Sequence, residues 1–483
     1  MEESQILEKI KEIKAKMKPL GLRKEDDQVP QISWILLLKI LDDFDIRQED
    51  ESGFKPIISK PYRWRDWTAD TKLTDQPLIN YVTTELFPKL RELPVEEGLE
   101  VRQIVTSIFR HVNNRIPNGM VLREIINIID DDELSFTDIN TVKTFAKVYE
   151  KLIIEMRNAA GNRAVFYTPQ AIVQFIVNYI NPDFHKKEKV FDPACGMGGF
   201  LIESFNKMKP LEKTSDDIVT LREKTLYGVE KEGEFFLCAI INMLLHDITK
   251  PHISLGNSLQ RDTKTITAKD QYHVIMTNPT YGGSEDKSIK DSLPNNLKGA
   301  STELHFLYYV LESLRDGGRA AMIVPNGVLF DTEKPASLIK ENLMSTCNLH
   351  TIVRLPESIF EPYNGIRTNI LFFEKTGHTE EIWYYDMPIR EGIKGFSKTK
   401  PPTLEDFVQV EKWMKNKEEN EFAWKIKVSD RKDYNLDINN PNKKEETIDL
   451  SPHELIKQII ADEKKTLDLL TDVENLINQE IPK

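Results

Sequence analysis

Three cysteines among 483 residues are too few for a disulfide framework, and Cys195, Cys238 and Cys347 are too scattered for a zinc site. No apolar run reaches the roughly 18 residues that a membrane span needs. The opening Met1-Glu-Glu-Ser-Gln has no basic stretch followed by an apolar one, so no secretory leader is expected. A reducing cytoplasm fits all three observations. Positive charge is also short. With 65 Lys and Arg against 78 Asp and Glu, the net charge is −13. Such a chain is a poor self-sufficient nucleic-acid binder, because binding needs cations that displace counterions from phosphates. A nucleic-acid substrate would require a local basic face or a partner to supply the grip. There are no internal repeats, and the length suggests about three domains.

What is present centres on Lys189-Val-Phe-Asp-Pro-Ala-Cys-Gly-Met-Gly-Gly-Phe200. A short apolar strand meets Asp192, then a turn with Gly196, Gly198 and Gly199, then an amphipathic run. Strand, glycine turn and helix start let a backbone approach a nucleotide-like ligand closely, because glycine has no Cβ in the way. This turn reads Gly-x-Gly-Gly and lacks the Lys-Ser/Thr of a P-loop. It suits a ligand with a ribose and an amino-acid tail better than one with phosphates. Thr225-Leu-Tyr-Gly-Val-Glu230 is a second strand, ending in a carboxylate placed to accept from two ribose hydroxyls. His273 to Thr277 is a third, ending in Asn278-Pro279-Thr280-Tyr281. Strands without strict alternation, separated by helices from 189 to about 376, predict a mostly parallel sheet covered on both faces. Ligands bind at the carboxyl ends of such strands, where Asp192, Glu230 and Asn278 all lie.

The flanks read differently. Residues 1–155 are expected to be a helical N-terminal domain, with Ile32 to Leu41 a buried helix. Tyr62-Arg-Trp-Arg-Asp-Trp67 could stack on bases, but an ordinary packed aromatic knot explains it better. Asn118-Gly119 reads as the stop of a turn. Thr168 is the expected N-cap of a helix, with Pro169 at its first position. The catalytic domain is expected over 156–390, a mixed extension over 391–450, and a helix over 451–483 opened by a Ser451-Pro-His-Glu454 capping box. Ile456, Ile459, Ile460, Leu467, Leu470, Val473 and Ile477 give that helix a coiled-coil-like stripe.

Asp-Pro-x-x-Gly, then Glu, then Asn-Pro-x-Tyr at successive strand ends resembles the amino-methyltransferases that use S-adenosylmethionine, which implies that the chemistry sits at Asn278. An exocyclic amine on adenine is a poor nucleophile, because its lone pair is delocalised into the ring. Accepting hydrogen bonds from both N–H groups draws the nitrogen toward tetrahedral geometry. The Asn278 side-chain carbonyl can accept one and the Pro279 main-chain carbonyl the other. Tyr281 can stack on a base rotated out of a duplex, worth about 1–3 kcal/mol. A sulfonium donor is already activated, so catalysis is largely positioning, and no metal or covalent nucleophile is required. Cys195, inside the turn, reads as packing.

Phe166-Tyr-Thr-Pro169, Asp192 to Phe200, Tyr227-Gly-Val-Glu230, Ala239 to His246, Gly256-Asn-Ser-Leu259, Gly317 to Phe330 and Gly365 to Phe373 together resemble the modification subunit of type I restriction–modification systems. The likeness is dense over 140–376. It implies a Rossmann-like class I S-adenosylmethionine-dependent methyltransferase domain, an α/β fold, between a helical N-terminal domain and a helical tail. It implies N6-adenine methylation of DNA. It also implies assembly with a specificity subunit, usually two modification subunits per one, and with a restriction subunit. By position, Val165, Phe166, Tyr167, Thr168, Pro169 and Gln170, with Met197, Gly198 and Gly199, would touch S-adenosylmethionine. Glu230 would hold its ribose, and Asn278, Pro279 and Tyr281 the adenine. Two departures stand out. Thr280 replaces a second proline. Asn257 replaces an aspartate that contacts the cofactor adenine, where an amide can still hydrogen-bond. Competing readings are methylation of another amide, such as a protein glutamine, and a non-catalytic scaffold.

Overall fold

A computed structural model describes residues 2–50, 54–96, 99–159, 168–282, 289, 293–361, 365–430 and 434–443, together with part of 453–471. Residues 1–440 form one compact unit and 441–483 a second. In the first, nine strands make one mixed sheet. They are β1 (Val190–Asp192), β2 (Leu226–Glu230), β3 (His252–Leu255), β4 (Tyr272–Thr277), β5 (Leu314–Pro325), β6 (Asn348–Arg354), β7 (Thr368–Glu374), β8 (Glu381–Asp386) and β9 (Ala423–Lys427). Their order is β3-β2-β1-β4-β5-β7-β6-β8-β9. β1 to β5 run parallel, as expected, while β7 enters antiparallel between β5 and β6 and β9 closes the far edge antiparallel. The strand order reverses between the neighbours β1 and β4, where the chain returns from β3, and such a switch opens a crevice at the carboxyl ends of the strands.

The Gly317-Gly318 pair does not precede β5 but lies within it. Leu314 pairs with Tyr272, and Arg319 pairs with Val274, so five residues oppose two. Gly317, at φ +74°, supplies the left-handed residue that this bulge requires.

The helix Gly233–Leu245 joins the helical N-terminal region to the sheet. Every side chain from Phe235 to Leu245 is buried. A helix apolar all round must be covered all round. It lies on β2 and β3 and against the helices Glu25–Gln48, Val101–His111 and Ile139–Ala159. The Glu25–Gln48 helix is likewise buried through Ile32 to Leu41, with the Ser33 hydroxyl 2.7 Å from the Tyr149 hydroxyl. Trp64 and Trp67 are buried edge to face, and Arg63 and Arg65 are paired with Asp66 and Glu49. That stretch is therefore packed, not a stacking surface. Asn118 does not end a turn: it caps the helix Gly119–Ile129, its Oδ1 accepting from the Met120 and Val121 N–H groups.

The joint is tight at Gly233, where a Cβ would stand 2.8 Å from the Cβ of His111. Gly233→Ala is expected to cost about 1–3 kcal/mol through overpacking. A lowered thermal midpoint would report it, and an unchanged midpoint would show that the two regions part there freely.

Among the described residues of 441–483, Ile456, Ile459, Ile460, Leu467 and Leu470 are exposed on helical backbone. Ser451, Glu454, Val473 and Ile477 lie outside the described residues. No helix among the described residues is long and apolar enough to cross a membrane.

Candidate active site

The turn after β1 is held by its own backbone. Asp192 Oδ1 accepts from the Ala194 N–H at 3.0 Å, Cys195 N–H donates to Val229 O at 3.0 Å, and Gly198 N–H donates to Cys195 O at 2.8 Å. Gly196 (φ +53°) and Gly198 (φ +83°) are left-handed, and a Cβ on Gly196 would meet nothing within 4 Å. The left-handed conformation, not crowding, favours glycine there, and its absent side chain leaves the backbone open to the space above it. The open space is a cavity of about 1380 Å³. Cys195 is buried against Gly228, and burial pushes its thiol well above the usual range, so it packs and is no nucleophile.

The cavity is lined by Thr168, Gln170, Asp192, Gly196, Met197, Gly199, Glu230, Asn257, Asn278, Thr280 and Tyr281. Three separate strand ends thus meet at one edge of the sheet. Pro169, Gly198 and Pro279 each stand between two lining residues, and Val165, Phe166 and Tyr167 lie outside the described residues. Residues that sequence reasoning missed also contribute. Asn242 Nδ2 donates to Met197 O at 3.1 Å and leaves its buried Oδ1 without a partner. Ser258 Oγ donates to Pro193 O at 2.6 Å, tying the β3 exit to the glycine turn. From the helical region, Arg115 bridges Asp27 and Glu234 at the rim. Asn242 and Ser258 lie inside the stretches Ala239 to His246 and Gly256 to Leu259, which read as motifs without a role for either side chain, while no local signal marks Arg115.

Glu230 Oε1 accepts from the Glu232 N–H at 2.7 Å, and Asn257 Oδ1 accepts from the Leu259 N–H at 3.0 Å. Burial raises the carboxyls of both Asp192 and Glu230 to about 7. The two consequences have opposite signs. A folded-state value above the unfolded one means that the native protein holds extra protons, so unliganded stability falls as pH rises from about 4 toward 7. A ligand offering hydroxyl donors and positive charge prefers the carboxylates. Its affinity should rise over the same window and level off above about pH 7. Calorimetric titration across pH 5.5 to 8.5 checks this, and an affinity flat across that range would refute it.

At the third strand end, Asn278 is 7% exposed. Its Nδ2 donates to Thr168 Oγ1 at 3.0 Å and its Oδ1 accepts from the Tyr281 hydroxyl at 2.6 Å. Thr168 is therefore not a helix cap. The helix runs Gln170–Ile180 with Pro169 at the N-cap position, and the threonine hydroxyl serves the Asn278 amide instead. The amide is thus held at both ends, by the Thr168 and Tyr281 hydroxyls.

Residues 140–449 match the family model described as N-6 DNA Methylase. The chain belongs to the N-6 DNA methylase family. It is 37% identical to the type I restriction enzyme EcoEI methylase subunit of Escherichia coli, over 95% of both chains. Among solved structures, a modification subunit of a putative type I restriction enzyme from Vibrio vulnificus aligns at TM-score 0.82 and 36% identity, covering 91% of this chain and 97% of that one. A chain from a type I restriction–modification system structure aligns at TM-score 0.77 and 32% identity, with 98% of each covered. The family's class I methyltransferase architecture is the fold described above. In this chain the glycine turn, the Glu230 carboxylate and the Asn278-Pro-Thr-Tyr281 strand end share one crevice.

Proposed function

We propose that this chain transfers a methyl group from S-adenosylmethionine to N6 of adenine in double-stranded DNA, as the modification subunit of a type I restriction–modification complex. The observation that carries the reading is the meeting of Glu230, the Gly196–Gly199 turn and Asn278–Tyr281 in one cavity. The residues present suit the cofactor: the turn offers backbone without side chains, Glu230 offers a buried acceptor for ribose, and Asn242 Oδ1 waits unpartnered beside Met197. Gln170, Met197 and Gly199 would flank it, and Asn257 would meet its adenine. When bound, S-adenosylmethionine supplies an activated methyl group on sulfur.

The rest is the chain's own work. Thr168 holds the amide nitrogen of Asn278, which leaves the carbonyl as the end offered to a donor. That carbonyl accepts one N–H of the target amine and the Pro279 main-chain carbonyl accepts the other. Tyr281 lies against the base face. The buried surroundings exclude water and strengthen each contact.

A net charge of −13 leaves DNA grip and sequence choice to a specificity subunit. We place two copies of this chain on each specificity subunit, with a restriction subunit added for cleavage. The exposed apolar residues of 453–471 are the part of the 451–483 helix offered for that assembly. The 1–155, 156–390 and 391–450 divisions are kept as functional regions. Methyl transfer by the chain with its specificity subunit should label N6 of adenine in duplex DNA and leave glutamine peptides unlabelled. Labelled peptide with unlabelled DNA would overturn the reading.

A further inference from the structure

The Asn278 side-chain carbonyl that would receive a base already accepts one hydrogen bond, which occupies one of its two lone pairs and competes with an arriving donor. The Tyr281 hydroxyl donates to that carbonyl at 2.6 Å, while the opposite end of the amide is bound to Thr168 at 3.0 Å. With both ends held, the amide cannot rotate to offer its oxygen elsewhere. The chain turns directly after the tyrosine. Gly282 makes that turn at φ +70°, and its N–H donates to Glu303 Oε1 at 2.5 Å. Glu303 is 7% exposed, in the first turn of the helix Thr302–Ser313. Burial, and then the charge of Glu303, push the Tyr281 hydroxyl well above its usual range, so it stays a donor.

We infer that Glu303 is a positioning residue of the target-base site: it pins the turn after Tyr281 so that the tyrosine hydroxyl occupies the Asn278 acceptor until a base displaces it. This rests on the reading of Asn278 as the acceptor of the target amine. The device has a physical logic. A buried carbonyl left empty between substrates carries a desolvation penalty. The hydroxyl relieves it, and an arriving amine exchanges one hydrogen bond for another at little net cost. Release of the hydroxyl also frees the Tyr281 ring to settle on the base.

The test uses the chain assembled with its specificity subunit and S-adenosylhomocysteine. The duplex carries 2-aminopurine next to the target adenine, whose fluorescence rises when its neighbour unstacks. Tyr281→Phe keeps the ring and removes the lock. It should raise the extruded fraction about fivefold, the equivalent of ~1 kcal/mol for one net hydrogen bond. Glu303→Ala should move the same way with cofactor affinity retained, and Glu303→Gln, which still offers an oxygen to Gly282, should fall closer to the parent. An unchanged or reduced signal in Tyr281→Phe overturns the lock. A Glu303→Ala protein that binds cofactor but matches the parent removes Glu303 from it. If Glu303→Ala does not fold, the Tyr281→Phe signal together with the position of Glu303→Gln decides. Persistence of the gain in the double variant Asn278→Ala, Tyr281→Phe would also overturn the lock, because the acceptor would then be irrelevant. Full methylation by Asn278→Ala alone would instead sink the underlying function.

Discussion

Asn278→Ala should lower kcat for DNA methylation by about 10²–10³-fold, the loss typical of removing one preorganised partner of a developing charge. Cofactor affinity should be unchanged, because Asn278 contacts neither the glycine turn nor Glu230 among the hydrogen bonds described above. The effect falls on the amine. Without the side-chain carbonyl, one N–H of the target has no acceptor in a buried site, and the nitrogen lone pair stays in the ring. Thr168 and Tyr281 lose their shared partner at the same time. The fold should survive, since β4 is anchored by Val274, Ile275 and Met276, all fully buried. Single-turnover methyl transfer with saturating cofactor measures the step directly. A loss smaller than about tenfold would show that the Pro279 carbonyl and base stacking suffice without Asn278.

The sheet's first half was legible because each strand announces its own end. Val190-Phe191 stops at Asp192, Leu226 to Val229 stops at Glu230, and Tyr272 to Thr277 stops at Asn278. In a parallel sheet those ends share an edge, so local polarity changes carried three-dimensional information. The second half was less legible. β7 lies between β5 and β6, an order set by long-range pairing that no window of sequence contains. In the first half β3 alone escaped, being four residues of alternating exposure, while β8 lies past the strand-helix alternation that ends near 376 and β9 in the extension that reads as mixed. At the site, side chains with two plausible partners were misread. Thr168 has the chemistry of a cap, yet its hydroxyl is drawn to Asn278, 110 residues away. Asn118 has the chemistry of a turn, yet it starts a helix. Glu303 reads as an acid in a helix's first turn, complementing the dipole. Only the folded chain brings Gly282 to it.

Glu230→Ala should weaken S-adenosylmethionine binding by about 10²–10³-fold, and Glu230→Gln by about tenfold. The argument starts from the cost of keeping this carboxyl where it is. Burial raises it to about 7, so its ionised form is held in place against desolvation, helped by backbone N–H groups such as that of Glu232. A folded chain keeps such a group when a ligand repays the penalty. Two ribose hydroxyls donating to one carboxylate are charge-assisted bonds of about 1.5–3 kcal/mol each. Alanine removes both and leaves the Glu232 N–H without its acceptor. Glutamine keeps one carbonyl oxygen, which accepts one hydroxyl and turns an amide donor toward the other. The glutamine variant carries a second signature. Glu230 no longer titrates, so the rise of affinity toward pH 7 should shrink to the part contributed by Asp192, while unliganded stability above pH 7 should increase because a buried charge has gone. Both readouts come from one protein, by calorimetry and by thermal melts. A Glu230→Gln variant with parental affinity at pH 8 would move the ribose away from the end of β2 and leave the buried carboxylate without a ligand to explain it.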